Sequence, residues 1–198
     1  MDTTKPKKIS SLKNHFLIAM PGLTDPNFAD SVIYICEHNA DGAMGLIINH
    51  QLDVPVKAIF DQLDVDYQDE YARSLLFDGG PVQRDRGFIL HPSCDRQWES
   101  TMAISDEVSL TASKDILSDI ALGTGPKDSL ITLGYTGWDK GQLEEELGEN
   151  SWLTIPAEAD IIFNTNCAER ASAAALSIGL DVRKPQSHEL YAALFDCS

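Results

Sequence analysis

Short apolar runs separated by turn-forming residues characterise the first fifty positions of the chain. Residues 16–20 are apolar and are followed by a proline and a glycine, which predicts a buried strand and then a turn. Residues 31–49 contain two further apolar runs on either side of an Asn-Ala-Asp-Gly stretch, which predicts a β-hairpin. Gly42 and Gly45 within this hairpin indicate a bulge or a close approach between backbones.

The spacing of apolar residues becomes helical beyond residue 52. Apolar positions recur at i, i+3, i+4 and i+7, which predicts an amphipathic helix of about two to three turns with Asp53 as its N-cap. The acidic residues 64–73 that follow predict an exposed loop. The apolar positions of the helix are Val56, Ile59, Phe60 and Leu63.

Strand and helix patterns alternate through the rest of the chain. Ser113 is placed to cap a helix that ends at Gly123, and a later helix over residues 166–178 ends at Gly179. A short acidic helix is predicted over residues 139–147. The predicted strands of this part are residues 74–77, 87–91, 101–104, 107–110, 129–133, 152–155 and 160–163.

A sharp corner is predicted where the strand ending at Leu133 gives way to the acidic helix. Two glycines follow Leu133, and they permit backbone conformations that other residues avoid. Asp139 and Gln142 have the three-residue spacing of a capping pair at a helix start. Leu143 and Leu147 form the buried stripe of this helix, because residues four apart share a face.

The three acids of this helix are predicted to form a solvated face rather than an acid/base or metal site. Consecutive helical residues diverge by about 100°, so three adjacent carboxylates cannot all face one site. The acids are Glu144, Glu145 and Glu146.

Size and composition indicate one folded domain. The chain has 198 residues, of which 43% are hydrophobic and 23% charged, close to the values of ordinary globular domains. No repeat or low-complexity linker divides it, so the mixture of strands and helices predicts a single α+β domain over residues 15–198. Residues 1–14 hold four lysines and are predicted to form a flexible basic arm.

The formal net charge of −16 restricts the expected partners. Proteins bind nucleic acid largely by neutralising phosphates with lysine and arginine, so direct nucleic-acid and anionic-membrane binding are disfavoured. The four cysteines show no C-x-x-C pair, and the sequence holds neither a signal-peptide apolar region nor a membrane-spanning run. We expect a cytoplasmic protein with free thiols, no metal site and no cofactor.

Two stretches combine histidine with cysteine. Cys36 and His38 lie on one face of a predicted strand, as half of a metal site would, but no second pair has ligand spacing, which favours a packed cysteine. His91 and Cys94 lie near a strand end. A base must be close to its nucleophile in space rather than in sequence, so a structural role is favoured for His91.

A glycine-rich turn beside two arginines is the candidate anion site. Gly79 and Gly80 precede Arg84 and Arg86, and guanidinium groups bind anions through paired donors. The turn lacks the Lys-Ser/Thr end of a Walker loop. Two interpretations remain open: an anion site that also uses His91, or a tight connection whose arginines pair with carboxylates.

Several motifs occurring in order resemble the bacterial AlgH/YqgE family. The resemblance covers roughly residues 14–181. It implies a single α+β domain in which a bent, mixed and largely antiparallel sheet forms a pseudo-barrel with flanking helices. The family is described as regulators of transcription, and the resemblance implies no reaction, cofactor or catalytic residue. The carrying segments are residues 16–22, 31–38, 42–49, 79–82, 86–91, 133–144 and 150–156.

Two classes of function follow as expectations. The first is a non-enzymatic cytoplasmic regulatory or interaction protein that acts on transcription through a protein partner of unknown identity. Its predicted surface comprises Trp138, Gln142, Glu144 and Glu145 beside the glycine-arginine turn. The alternative is a small-anion or metabolite binder, or an enzyme, at the glycine-arginine turn and His91. A third hypothesis, DNA binding through the lysines of the basic arm, conflicts with the net charge.

Overall fold

The computed structural model describes residues 11–180 of the chain. Residues 1–10 and 181–198 lie outside the described part, and with them most of the predicted basic arm and the end of the predicted domain. The strands are β1 (His15–Ala19), β2 (Val32–Asn39), β3 (Gly42–Ile47), β4 (Gln51–Pro55), β5 (Leu75–Asp78), β6 (Val82–Pro92), β7 (Thr101–Ala103), β8 (Val108–Thr111), β9 (Leu130–Asp139) and β10 (Trp152–Pro156). The helices are α1 (Lys57–Gln62), α2 (Asp69–Ala72), α3 (Asp115–Ala121), α4 (Gln142–Gly148), α5 (Ala159–Phe163) and α6 (Arg170–Ser177).

The ten strands of residues 11–180 belong to one curled, mixed sheet. Its main path runs in the order β10, β1, β2, β3, β9, β6, β8 and β7, and β4 and β5 join it beside β9. The β5–β9 pair is parallel and the other pairs are antiparallel. The sheet forms a half-barrel flanked by helices, which confirms the predicted α+β class.

Strand β9 changes its neighbours halfway along its length. Residues 130–133 lie against β6 and β5, whereas residues 136–139 pair with β3. Gly134 lies at the change with φ of 73°, and a Cβ atom there would lie 2.3 Å from the carbonyl oxygen of Gly80. The prediction that this strand ends at Leu133 is wrong, because the left-handed conformation of Gly134 redirects the strand instead of ending it.

Each face of the sheet carries buried side chains, and the side chains of β2 show the division. Val32, Tyr34 and Cys36 belong to a large core that also includes residues of α5 and α6. Ile33 and Ile35 point to the opposite face, where they pack in a second core with residues of α4 and β10. A third core joins β6 and β9 to α1 and α3. The continuous apolar runs of the sequence reflect this burial of both faces.

Four local predictions differ from the structure. Asp53 lies in β4, so it does not cap α1, which begins after Val56. Ser113 does not cap α3, whose N-cap is Lys114, because its hydroxyl donates to the Asp115 side chain. Residues 160–163 belong to helix α5. Ile161 and Ile162 are both buried there, so the apolar run that resembled a strand is the buried side of a short helix. The predicted loop 64–73 contains the one-turn helix α2.

Other local predictions are confirmed. Residues 31–49 form the β2–β3 hairpin, with a register shift between Ile35 and Glu37. Gly123 and Gly179 follow α3 and α6 with φ of 73° and 84°, the left-handed conformation expected at a helix end. The prediction of a flexible arm is wrong for residues 11–14, because the Leu12 amide donates to His38 and the Asn14 amide donates to the Ile35 carbonyl oxygen of β2.

A buried arginine fastens α6 to the sheet. Arg170 is 4% exposed; its guanidinium donates to the Ile48 carbonyl oxygen and lies 5.3 Å from the centre of the Phe77 ring. Burial lowers the pKa of Arg170 to about 10, so the side chain remains charged at neutral pH. Among the described residues no carboxylate forms an ion pair with it.

Candidate functional site

A bulge in β6 presents charged side chains at the sheet surface. Val82 pairs with Tyr135 and Gly87 pairs with Leu133, so residues 83–86 of β6 face the single residue Gly134 of β9. All four residues of the bulge are exposed, and Gln83 has φ of 48°. The extra length is accommodated because Gly134 has no side chain and a left-handed backbone.

A groove of about 630 Å³ crosses the sheet beside this bulge. We call it the sheet groove. Its floor comes from β3, β6 and β9, namely Met44, Phe88, Tyr135 and Gly137, and its rim from Glu37, Asn39, Asp41, Asp139, Gln83 and Arg86. Its volume lies within the range of pockets that bind small molecules or short peptide segments.

Gly137 opens the floor of the sheet groove. Its φ is outside the left-handed region, and the nearest atoms to a Cβ built there belong to the Tyr135 ring, at 3.3 Å. The backbone therefore does not require glycine at this position. The missing side chain leaves space above Tyr135 where a ligand side chain can pack.

The rim of the sheet groove is predominantly acidic. Glu37, Asp41 and Asp139 contribute three carboxylates, and Arg86 contributes one guanidinium. The Arg86 guanidinium lies 5.3 Å from the centre of the Phe88 ring, a cation–π distance that keeps it over the apolar floor. The groove thus combines an aromatic floor with a net negative rim, which suits a ligand that is partly apolar and carries positive charge.

The glycine-rich turn packs closely against β9, and its amide groups are hydrogen-bonded within the protein. The Gly79 amide donates to the Leu133 carbonyl oxygen at 2.8 Å, and the Gly80 amide donates to Asp78 at 3.2 Å. A Cβ atom on Gly80 would lie 2.4 Å from the Tyr135 backbone. Close strand packing therefore explains both glycines, and their N–H groups are already used.

The candidate anion-binding side chains do not converge. Arg84 is exposed and pairs with Asp78 at 3.3 Å, as the alternative interpretation of carboxylate pairing expects. Arg86 lies over Phe88 on the groove side. His91 is only 1% exposed and does not line the sheet groove, so the structure does not bring it together with Arg84 and Arg86.

His91 is a satisfied core residue. Its Nδ1 atom donates to the Pro92 carbonyl oxygen and its Nε2 atom accepts from the Thr111 hydroxyl, both at 2.9 Å. Its ring meets the Trp98 ring edge-on at 5.1 Å between centroids. Burial lowers the pKa of His91 below its usual value, which favours the neutral ring. Cys94 is exposed and bonds only locally, to the Arg96 carbonyl oxygen.

Trp138 anchors α4 and also lines one end of the sheet groove. It is 6% exposed, and its indole N–H donates to Glu146 Oε2 at 2.8 Å. The Trp152 indole N–H donates to the same oxygen at 2.8 Å, and the two rings meet edge-on at 6.1 Å. Glu146 is therefore a structural acceptor, which corrects the expectation of a purely solvated acidic face. Glu145 is exposed, as predicted.

The remaining residues of the predicted surface also make internal bonds. The Gln142 side chain accepts from the Asp139 amide at 3.0 Å, which is one half of the predicted capping pair. Asp139 itself does not cap α4, whose N-cap is Gly141. Glu144 accepts from His38 Nε2 at 3.0 Å, because His38 Nδ1 already accepts from the Leu12 amide at 2.8 Å.

The Cys36–His38 pair is structural. Cys36 is fully buried, and burial raises the pKa of its thiol, which keeps it protonated. The register shift in β2 separates the two side chains, and His38 instead faces α4. Between residues 11 and 180, no group of three or more His, Cys, Asp or Glu side chains is arranged to hold a metal ion. In the same range no helix is long and apolar enough to cross a membrane.

Sequence reasoning missed most of the sheet groove. Glu37 and Met44 pair within the predicted β2–β3 hairpin, but the sequence does not show that β9 lies beside this hairpin, because β3 pairs with β9 across more than ninety positions. Two of the predicted site residues, Arg86 and Trp138, do line the groove, whereas Gly137 was not among the predicted site residues. Only the β-pairing register brings Met44 directly opposite Gly137.

Comparison with known proteins places the chain in a family. A family model described as AlgH-like matches residues 16–183. A UPF0301 protein of Saccharophagus degradans is 51% identical over 172 residues, which cover 87% of this chain and 84% of that protein. A UPF0301 protein of Thioalkalivibrio sulfidiphilus is 49% identical, with 87% of this chain and 92% of that protein covered.

Solved structures agree with this assignment. The solution structure of the AlgH protein from Pseudomonas aeruginosa superposes with a TM-score of 0.77 at 46% identity, covering 90% of this chain and 95% of that chain. A crystal structure of a Corynebacterium diphtheriae protein gives a TM-score of 0.67 at 18% identity, which supports the fold alone. The resemblance inferred from the motifs is confirmed: the chain belongs to the AlgH-like family.

Proposed function

We propose that this protein is a non-enzymatic cytoplasmic regulatory protein that binds a basic, partly apolar segment of a partner protein in the sheet groove. The observation that carries the proposal is the groove itself, with an aromatic floor opened by Gly137 and carboxylates along its rim. Such a surface can pack apolar side chains while its rim attracts lysine or arginine.

Charge supports a basic partner. Three rim carboxylates face one guanidinium, and the whole chain carries a formal net charge of −16. Complementary charge speeds association and selects partners, and the rim charges are exposed enough for salt to screen them. An effect on transcription would then pass through a protein partner, because the same field repels DNA.

The engagement of the candidate reactive groups favours binding over catalysis. His91 is bonded on both ring nitrogens, and Cys36 is buried with a raised thiol pKa. Glu146 accepts two indole N–H groups, and Glu144 holds His38. Each of these contacts contributes to the fold, so these candidate reactive groups already have structural roles.

The test is affinity capture from the native host with tagged full-length protein, with nuclease treatment, followed by measurement of the purified partner's affinity. Gly137→Leu fills the groove floor, and Glu37→Lys reverses one rim charge. Both variants should weaken the partner's affinity at least about tenfold while circular dichroism and the melting temperature stay near wild type. Affinity for the wild type should also fall as salt rises.

Glu99→Lys is the matched control, because Glu99 is an exposed acid outside the sheet groove and the change in net charge is the same as for Glu37→Lys. It should leave the affinity within about twofold, as general long-range attraction is weakly affected by one distant charge. Equal weakening by Glu99→Lys and Glu37→Lys, or unchanged affinity with Gly137→Leu, would contradict the groove as the binding site.

A further inference from the structure

A second cavity lies on the opposite face of β6 and β9, beneath helices α1 and α3. Its volume is about 570 Å³, within the usual range for sites that enclose a small organic ligand. We call it the α1–α3 cleft. It shares Gln83 and Arg86 of the β6 bulge with the sheet groove, but its floor belongs to a different hydrophobic core.

The floor of the α1–α3 cleft is aliphatic. Ile89 and Ile131 rise from the sheet, and Leu117 comes from α3. Ile59 and Leu63, the partly buried residues of the amphipathic helix, close the other side. A ligand in this space would be surrounded mainly by methyl groups, which select an apolar body of matching size.

Gly87 keeps the cleft open at the sheet. It pairs with Leu133 inside β6, and its φ is outside the left-handed region. Among the described residues other than its chain neighbours, the nearest atom to a Cβ built there is the Thr132 carbonyl oxygen, at 3.9 Å. The strand would accept a larger residue at this position without backbone strain, so the glycine contributes volume rather than conformation.

The rim of the cleft supplies a positive charge and hydrogen-bond donors. Lys114 is exposed at the start of α3, and neither it nor Arg86 forms an ion pair with the described residues. The amides of Gln62 and Gln83 and the Ser113 hydroxyl also line the cleft. Asp85 lies on the same rim, and its carboxylate would repel a ligand that carries two negative charges.

We infer that the α1–α3 cleft binds a small amphipathic monoanion, an aliphatic or aromatic carboxylate whose apolar body packs on Ile89 and Ile131 and whose head group meets Lys114. The body matches the aliphatic floor, and the single negative charge is matched by Lys114, while Asp85 opposes a second negative charge. This binding is independent of partner capture in the sheet groove, so either one can fail without the other.

The test is a titration of the full-length protein with decanoate, followed by methyl NMR and calorimetry. Saturable binding should shift the methyl signals of Ile89, Ile131 and Leu117, whereas the Met44 methyl in the sheet groove should stay unchanged. Decanol and decyl phosphate at pH 8 should bind several-fold more weakly, because one lacks the charge and the other carries two. Acetate should not bind, because it has no apolar body.

Variants separate the two parts of the site. Gly87→Leu fills the cleft and should weaken decanoate binding at least about tenfold. Lys114→Gln should weaken it about twofold to fivefold and reduce the preference over decanol, the effect expected of one exposed charge pair. Lys127→Gln removes an exposed lysine outside the cleft and should have no effect.

The inference is overturned if decanoate fails to bind, or if a decyl-trimethylammonium ion binds equally well. It is also overturned if the Met44 methyl shifts in place of Ile89 and Ile131. Should Gly87→Leu fail to fold, the wild-type methyl shifts and Lys114→Gln still decide the question.

Discussion

Removal of the Glu146 carboxylate is expected to destabilise the protein strongly. One oxygen, Oε2, accepts the indole N–H groups of Trp138 and Trp152 at 2.8 Å each, and Oε1 accepts from Gln142 at 2.9 Å. Both indoles are almost fully buried, with exposed fractions of 6% and 3%. In Glu146→Ala neither indole donor keeps its partner.

The magnitude follows from the two stranded donors. A buried donor left without an acceptor costs about 1–3 kcal/mol, and water can reach part of this half-buried site. We therefore expect Glu146→Ala to lower the free energy of unfolding by about 2–4 kcal/mol. At about 2–4 °C per kcal/mol for a chain of this length, the melting temperature should fall by roughly 5–15 °C.

Glu146→Gln separates hydrogen bonding from charge. Its amide oxygen can accept from both indoles, because the two bonds of the wild type share one oxygen. The loss should be about 1 kcal/mol, the difference between a charged and a neutral acceptor. Urea unfolding followed by tryptophan fluorescence measures all variants, since two of the three tryptophans report on this site.

Glu145→Ala is the matched control, because Glu145 is the neighbouring exposed acid on the same helix. It should change the free energy of unfolding by less than about 0.5 kcal/mol. A Glu146→Ala loss no larger than that of Glu145→Ala would refute the assignment of Glu146 as the anchor of both indoles.

Two further predictions concern a glycine and a histidine. Gly80→Ala should lower the free energy of unfolding in urea by at least about 3 kcal/mol, because φ is 142° and the Cβ atom would lie 2.4 Å from the Tyr135 backbone. Gly22→Ala is the control and should lower it by less than about 1 kcal/mol, because a Cβ atom there would meet open space. Burial lowers the folded-state pKa of His91, so its contribution to stability is present above the unfolded value of about 6.5 and declines as pH falls toward the folded value. His91→Gln removes this contribution, whereas His50→Gln, the histidine control, keeps it. The free energy of unfolding lost between pH 7.5 and 5.5 should therefore be smaller in His91→Gln than in His50→Gln.

These two predictions have clear contrary outcomes. Equal effects of alanine at Gly80 and Gly22 would mean that the close approach of β9 is not required. The same pH dependence in the two histidine variants would mean that His91 is protonated as easily in the folded as in the unfolded chain.

The strands and helix ends of this protein are largely determined by local sequence. The β2–β3 hairpin was predictable because its turn residues and apolar runs lie within about twenty positions. The ends of α3 and α6 were predictable because Gly123 and Gly179 adopt the left-handed conformation that glycine alone takes readily. The prediction of Asp53 as an N-cap was wrong, because residues 51–55 pair with β5 as a strand, and the sequence around Asp53 does not show this distant partner.

The roles of polar residues depend on distant partners. Arg170 lies in a helical pattern where a charge would ordinarily face solvent, yet it is buried against Ile48, 122 positions away. Glu144 and Glu146 differ in role from Glu145 only because His38, Trp138 and Trp152 lie beside two of the three acids. Nothing within the Glu-Glu-Glu run distinguishes them.

The sequence by itself determined the family, the α+β class and most of the strands, because those properties depend on local periodicity, turn chemistry and motif order. Only the tertiary structure decided where binding surfaces lie. Gly87 and Gly137 are ordinary strand glycines in the sequence, and each opens a cavity because of the strands and helices packed around it. Cavities are formed by residues far apart in the chain, and the register and curl of a sheet bring such residues together.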